Sequence, residues 1–227
     1  MSNVLSPAAA AAFIDHTLLA PDATEEAVEA LCAEAVEHGF KGVCVNPWHV
    51  PRVAARLAGQ LPLAITVAGF PLGAGQTAAK ALEAGLAVDQ GAMEVDMVLN
   101  IGALKGGDAD FVRQDIAQVV GACAGRPVKV ILETCLLTDA EKELACRLCA
   151  EAGAAFVKTS TGFARSGATE ADVALLRRVV GPGMGVKASG GIRTASDMLR
   201  MLAAGADRIG ASAGVAIVRE FAEGGSR

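Results

Sequence analysis

Three apolar runs in this sequence each carry a charged side chain suited to carbonyl chemistry. In Ala154-Ala-Phe-Val-Lys158 a lysine sits where a strand-like run meets a Thr-Ser-Thr-Gly turn. Gly185-Val-Lys187-Ala-Ser-Gly-Gly191 repeats the arrangement, and Glu94-Val-Asp96-Met-Val98 supplies an acid. All three residues read as lying at strand ends. Desolvating an ammonium is costly, so a lysine ending a core strand is extended to solvent, paired with a carboxylate, or neutral. A neutral lysine attacks aldehydes and ketones. Its ordinary pKa is about 10.4, so burial or a nearby cation must lower it first. Two lysines on adjacent strands meet this need: one stays charged and depresses the other. Asp96 can accept a proton, hold the charged lysine or orient a water. The natural reaction is imine formation, then carbon–carbon cleavage or formation through an enamine. A structural ion pair with Asp96 is the competing reading, and it suits Lys129, which sits mid-run in Val128-Lys-Val-Ile-Leu132.

The rest of the chain has to bring these runs together. Apolar runs near residues 13–18, 42–45, 63–67, 93–98, 128–132, 154–158, 185–188 and 208–210 alternate with segments of helical periodicity. Helix starts are predicted at Asp22-Ala-Thr-Glu25, Thr138-Asp-Ala-Glu141, Thr169-Glu-Ala-Asp172 and Thr194-Ala-Ser-Asp197. A short alanine-rich helix over residues 2–12 precedes them. That makes about eight strands and eight helices. Strands that are apolar throughout are buried on both faces, hence parallel. A closed (β/α)8 TIM barrel and an open doubly wound sheet both fit, and the count together with a length approaching 250 residues favours the barrel. No linker interrupts residues 1–227, which read as one α/β barrel domain with a short extra N-terminal helix. An open sheet for a dinucleotide would place Gly-x-Gly-x-x-Gly after an early strand, but Leu19-Ala-Pro21 follows the first. No nicotinamide and no other cofactor is expected. In a barrel the active groups come from the carboxyl ends of strands, here Asp15, Cys44 to Asn46, Asp96, Glu133, Lys158, Lys187 and the Gly210 to Gly214 turn.

Two glycine-rich turns follow late strands and open helices: Ser189-Gly190-Gly191-Ile-Arg193 and Gly210-Ala-Ser212-Ala-Gly214. Glycines let backbone N–H groups approach an anion, and a helix N-terminus favours negative charge. The expected phosphate contacts are Gly162, Gly190, Gly191, Arg193, Gly210 and Ser212, with Thr161 and Gly162 adding backbone N–H groups. Composition narrows the partners. The formal net charge is -5, which argues against nucleic acid. No apolar run reaches the roughly 20 residues of a membrane helix. The N-terminal residues lack a secretory pattern, and six cysteines lie in helix-like and strand-like segments, so a cytoplasmic setting with free thiols is expected. Cys146 and Cys149 read as core-facing residues of one helix, Cys44 as a small core residue. Three scattered histidines make no metal pattern.

Four motifs in order, Gly69-Phe-Pro-Leu-Gly73, Glu94-Val-Asp96-Met-Val-Leu-Asn100, Phe156-Val-Lys158-Thr-Ser-Thr-Gly162-Phe and Val186-Lys187-Ala-Ser-Gly-Gly191-Ile-Arg193, resemble the deoxyribose-phosphate aldolase family. The resemblance runs from about Ile14 to Val218. It implies a class I aldolase barrel that interconverts 2-deoxy-D-ribose 5-phosphate with acetaldehyde and glyceraldehyde 3-phosphate, without metal. It implies that Lys158 forms the imine, Lys187 perturbs it and Asp96 shuttles protons; the residues alone leave the two lysines unranked. Asp15, Thr17, Cys44 and Thr159 are the expected further substrate contacts. A homo-oligomer, dimer or larger, is also expected. Two features depart from some family members: Ser212 is followed by Ala213 rather than a second serine, and no tyrosine is present to assist proton transfer. Other phospho-sugar isomerases or epimerases, and a catalytically silent phosphate-binding barrel, remain open alternatives.

Overall fold

Threonine hydroxyls fix four of the helix starts. Thr24, Thr138, Thr169 and Thr194 each accept a hydrogen bond from the backbone N–H three residues on, and Thr138 and Thr194 form reciprocal boxes with Glu141 and Asp197. Each such cap is worth about 1 kcal/mol. The predicted start at Asp22 is therefore corrected to Thr24, the residue whose side chain reaches the free N–H groups. The computed structural model describes residues 5–224. The start of the predicted helix over residues 2–12 lies outside them, as do the last residues of the C-terminal tail.

The chain runs α1 (Pro7–Ala11), β1 (Ile14–Leu18), α2 (Glu25–His38), β2 (Gly42–Val45), α3 (Val50–Arg56), β3 (Leu63–Ala68), α4 (Thr77–Asp89) and β4 (Glu94–Val98). It continues α5 (Ile101–Lys105), α6 (Ala109–Ala122), β5 (Val128–Ile131), α7 (Asp139–Glu151), β6 (Phe156–Lys158), α8 (Glu170–Val180), β7 (Gly185–Ser189), α9 (Ala195–Ala203), β8 (Arg208–Ala211) and α10 (Gly214–Gly224). α5 was not predicted; it is one short turn capped by the Asn100 side chain. The last helix begins at Gly214 rather than Ser212, because 212 still belongs to the turn after β8.

All eight strands pair in parallel with their sequence neighbours, and β1 pairs with β8 to close the barrel. The expected TIM barrel is the observed fold. Side chains alternate along each strand. The outward set packs with the helices in one large apolar cluster containing Val43, Val95, Met97, Val130, Val157, Val186 and Ile209. The inward set is divided. Next to Leu19, β2 and β3 contribute the small apolar cluster of Cys44, Ile65 and Val67. The other six strands contribute charge. Register sets Lys158, Lys187 and Arg208 side by side on β6, β7 and β8, and Asp96 beside Lys129 on β4 and β5.

Candidate active site

Six charged side chains form a closed ring of alternating sign inside the barrel. Lys187 Nζ lies 2.5 Å from Asp15 Oδ2 and 2.8 Å from Asp96 Oδ2. Lys129 Nζ lies 2.8 Å from Asp96 Oδ1 and 2.6 Å from Glu94 Oε2. Arg208 Nη1 completes the circuit, 3.0 Å from Glu94 Oε2 and 2.8 Å from Asp15 Oδ1. Lys158 stands outside the ring and makes one contact with it, 2.8 Å from Asp96 Oδ2. The Phe156 ring lies against Lys129 and Arg208, 5.9 and 5.5 Å from their charged groups. Gly185 makes room for it: a Cβ there would collide with the Phe156 ring.

The charges decide the protonation states. Burial would push the Asp96 carboxyl up, but Lys129, Lys158 and Lys187 hold it well below the usual carboxylate range. Burial likewise works against Asp15, and Lys187, Lys129 and Arg208 outweigh it, so its pKa is lowered. Lys187 is the converse: burial favours the neutral amine, yet Asp15 and Asp96 raise its pKa above the ordinary lysine value. Lys158 goes the other way. Burial lowers its pKa, Asp96 opposes, and the Lys187 charge adds to the lowering. The two lysines thus diverge in the sense needed for one nucleophile and one permanent cation.

Lys158 is also the ring-associated lysine that reaches the surface of a cavity of about 390 Å³ at the carboxyl mouth. Of the residues singled out in the sequence, Thr17, Lys158, Gly162, Gly190, Gly191, Arg193, Gly210 and Ser212 line this cavity. The glycine turns allow close approach: Gly190 has φ 84°, and a Cβ on it would lie 2.9 Å from the Gly167 Cα. Asp15, Cys44, Asp96, Thr159 and Lys187 are not on its wall and are fully buried. Asp96 and Lys187 stand in the middle of β4 and β7 rather than at strand ends as expected; of the three only Lys158 ends its strand.

Asp15, Cys44 and Thr159, the further substrate contacts expected from the sequence, each have surroundings that keep them off the cavity wall. Both Asp15 oxygens are held by Lys187 and Arg208. Thr159 joins β6 to β7, donating its hydroxyl to the Ser189 carbonyl and accepting from the Ser189 N–H. Burial, reinforced by the Asp96 charge, pushes the Cys44 thiol up to about 11, so it stays a neutral thiol at neutral pH. Two expected anion donors are also spoken for. The Thr161 N–H donates to Glu133, 3.3 Å away, and the Arg193 N–H donates to Asp197, 3.0 Å away. Arg193 therefore has only its exposed side chain to offer.

Sequence reading missed Glu94 and Arg208. The i, i+2 spacing of Glu94 and Asp96, and of Arg208 and Gly210, put each pair on one face of its strand and was the available signal. It also missed the Phe70–Phe163 edge contact, 5.3 Å between centroids, which joins the Gly69 to Gly73 turn to the loop after β6 at the cavity rim.

Fold and site together define a (β/α)8 barrel enzyme built around a buried lysine cluster. Residues 9–223 match the family described as DeoC/LacD family aldolase. The deoxyribose-phosphate aldolase of Rhodospirillum rubrum is 62% identical over 216 residues, 95% of this chain and 91% of that protein. That of Brevibacillus brevis is 57% identical over 206 residues, 91% of this chain and 93% of that protein. The tetrameric deoxyribose phosphate aldolase of Aeropyrum pernix superposes with a TM-score of 0.90 at 36% identity, covering 96% of this chain and 92% of that one. This chain belongs to the DeoC/LacD aldolase family and is an aldolase, a carbon–carbon lyase.

Proposed function

We propose that the protein reversibly cleaves 2-deoxy-D-ribose 5-phosphate to acetaldehyde and glyceraldehyde 3-phosphate through an imine on Lys158. The observation that carries this reading is that Lys158 alone combines a place on the cavity wall with a single carboxylate partner in the barrel cluster. The names of the relatives supply the substrate. Neutral Lys158 attacks the open-chain aldehyde carbon; the carbinolamine loses water and leaves the imine. The imine nitrogen is protonated, and its positive charge makes it the electron sink of the next step. Asp96, with Lys187 beside it, orients a water that passes the proton of the C3 hydroxyl to the Asp96 carboxylate. The C2–C3 bond breaks, its electrons pass to the imine as an enamine, and glyceraldehyde 3-phosphate departs. Protonation of the enamine carbon and hydrolysis release acetaldehyde and restore the amine. The phosphate lies against the Gly190, Gly191 and Gly210 turns, with Ser212 and Arg193.

Supplying deoxyribose 5-phosphate should release both aldehydes in equal amount, and dialysis against a chelator should leave the rate unchanged. Failure to cleave this sugar phosphate, or chelator inactivation reversed by a divalent ion, overturns the reading.

A homo-oligomer of one barrel domain per chain is part of the proposal. It is supported by the tetrameric Aeropyrum pernix relative and by the exposed Trp48, Leu72, Leu82 and Leu86. Light scattering at micromolar concentration should give at least twice the chain mass; a monomer mass refutes it. The six free cysteines, five of them buried, fit a reducing cytoplasm. No helix among the described residues is long and apolar enough to cross a membrane.

A further inference from the structure

We propose that Glu94 and Arg208, which touch neither Lys158 nor the cavity, are positioning residues for the imine chemistry: they close the charge ring on its far side and leave Lys158 as the one surplus cation of the barrel. This rests on the reading of Lys158 as the imine-forming residue.

The cluster holds three carboxylates, Asp15, Glu94 and Asp96, and four cations, Lys129, Lys158, Lys187 and Arg208. Each ring cation bridges two carboxylates. Lys158 has one, and that one already serves two other cations. Discharging a ring cation would leave two buried carboxylates short of a partner, and an uncompensated buried charge is expensive. Discharging Lys158 leaves three against three, with every ring contact intact. The surplus proton therefore leaves from Lys158.

The other buried acid nearby, Glu133 just after β5, is turned to Thr161, whose N–H and hydroxyl donate to it, and it is not among the charges that act on Lys158. Facing Lys158 are Asp96 on β4, Lys187 on β7 and the neutral thiol of Cys44 on β2. β5 brings Lys129, held between Glu94 and Asp96, and β1 and β8 bring Asp15 and Arg208, held to each other. β3 brings Ile65 and Val67. On β6 itself the same-face position below Lys158 is Phe156, which packs on Lys129 and Arg208. Without Arg208 the cluster would be balanced with Lys158 charged, and the amine would hold its proton. Without Glu94 the surplus would double, and Lys158 would lose its proton more readily.

The test is the acidic limb of kcat/KM for deoxyribose 5-phosphate cleavage, which reports the free-enzyme base. Arg208→Met should move the limb upward, and Glu94→Gln should move it downward, each by about one pH unit for one interior charge removed. Arg208→Lys, which keeps the charge, should leave it near the wild-type position. The double variant Glu94→Gln/Arg208→Met restores the surplus of one and should bring the limb back. A merely structural role would lower turnover or thermal stability without opposite shifts. Limbs that stay in place, or that move the same way in both single variants, overturn the proposal. Glu94→Gln is isosteric and decides the matter if Arg208→Met does not fold. Borohydride trapping in the wild type separates the two ideas. No adduct on Lys158 sinks the underlying mechanism, whereas an adduct on Lys158 with unmoved limbs sinks only the role of the ring.

Discussion

Borohydride added to the protein with acetaldehyde will leave one ethyl group, about 28 Da by the chemistry of imine reduction, on Lys158. Lys158→Ala will take up none, and its cleavage of deoxyribose 5-phosphate will fall by at least about 10⁴-fold, as for other enzymes stripped of their covalent nucleophile. The ranking of the lysines follows from contact and access together. Lys129 and Lys187 each sit between two carboxylates and are buried away from the cavity wall. Lys158 has one carboxylate, a lowered pKa and a place on the cavity wall. The same charge count sets the stability of the variant. Removing one partner of a buried ion pair normally costs about 3–5 kcal/mol because a charge is left uncompensated. Lys158→Ala removes the surplus cation instead, so its melting temperature should equal or exceed the wild-type value. That separates loss of chemistry from loss of fold. An ethyl group found on Lys187 would leave the reaction class standing and reverse the assignment of the two lysines.

The barrel was legible in the sequence because its signals are local. Apolar runs mark the strands, and a threonine with an acid three residues on marks the starts of α7, α8 and α9. α5 escaped because five residues show no periodicity. The lysines and Asp96 stood out as charges in apolar runs. Their partners did not, because partnership in a barrel is set by strand stagger and closure rather than by sequence distance. Arg208 meets Glu94 across 114 positions and Asp15 across 193. Depth was hidden for the same reason. Asp15 and Cys44 were expected on the cavity wall, but each lies one level below it, where Asp15 serves the ring and Cys44 packs with Ile65.

Lys187→Leu will lower turnover at neutral pH by on the order of 10²–10³-fold, and the loss will shrink as pH rises. Wild type has a cation to spare; this variant has three carboxylates and three cations, so Lys158 must keep its proton to balance the cluster. Each unit by which the Lys158 pKa rises costs about tenfold in neutral amine at a fixed pH. The direction is set by that: the neutral fraction is small below the raised pKa and recovers through it, so the variant gains on wild type toward alkaline pH. Loss of the cation that helps orient the proton-carrying water adds a part that pH does not recover. Stability should suffer less than the count of broken contacts suggests. Asp15 keeps Arg208, Asp96 keeps Lys129 and Lys158, and leucine adds no charge to the barrel. Binding of inorganic phosphate, read as a rise in melting temperature, should match wild type, because Lys187 does not line the cavity. Turnover within about threefold of wild type, roughly 0.7 kcal/mol of barrier, would show that Lys187 neither tunes Lys158 nor moves a proton. A deep loss unchanged by pH would confine its role to the water.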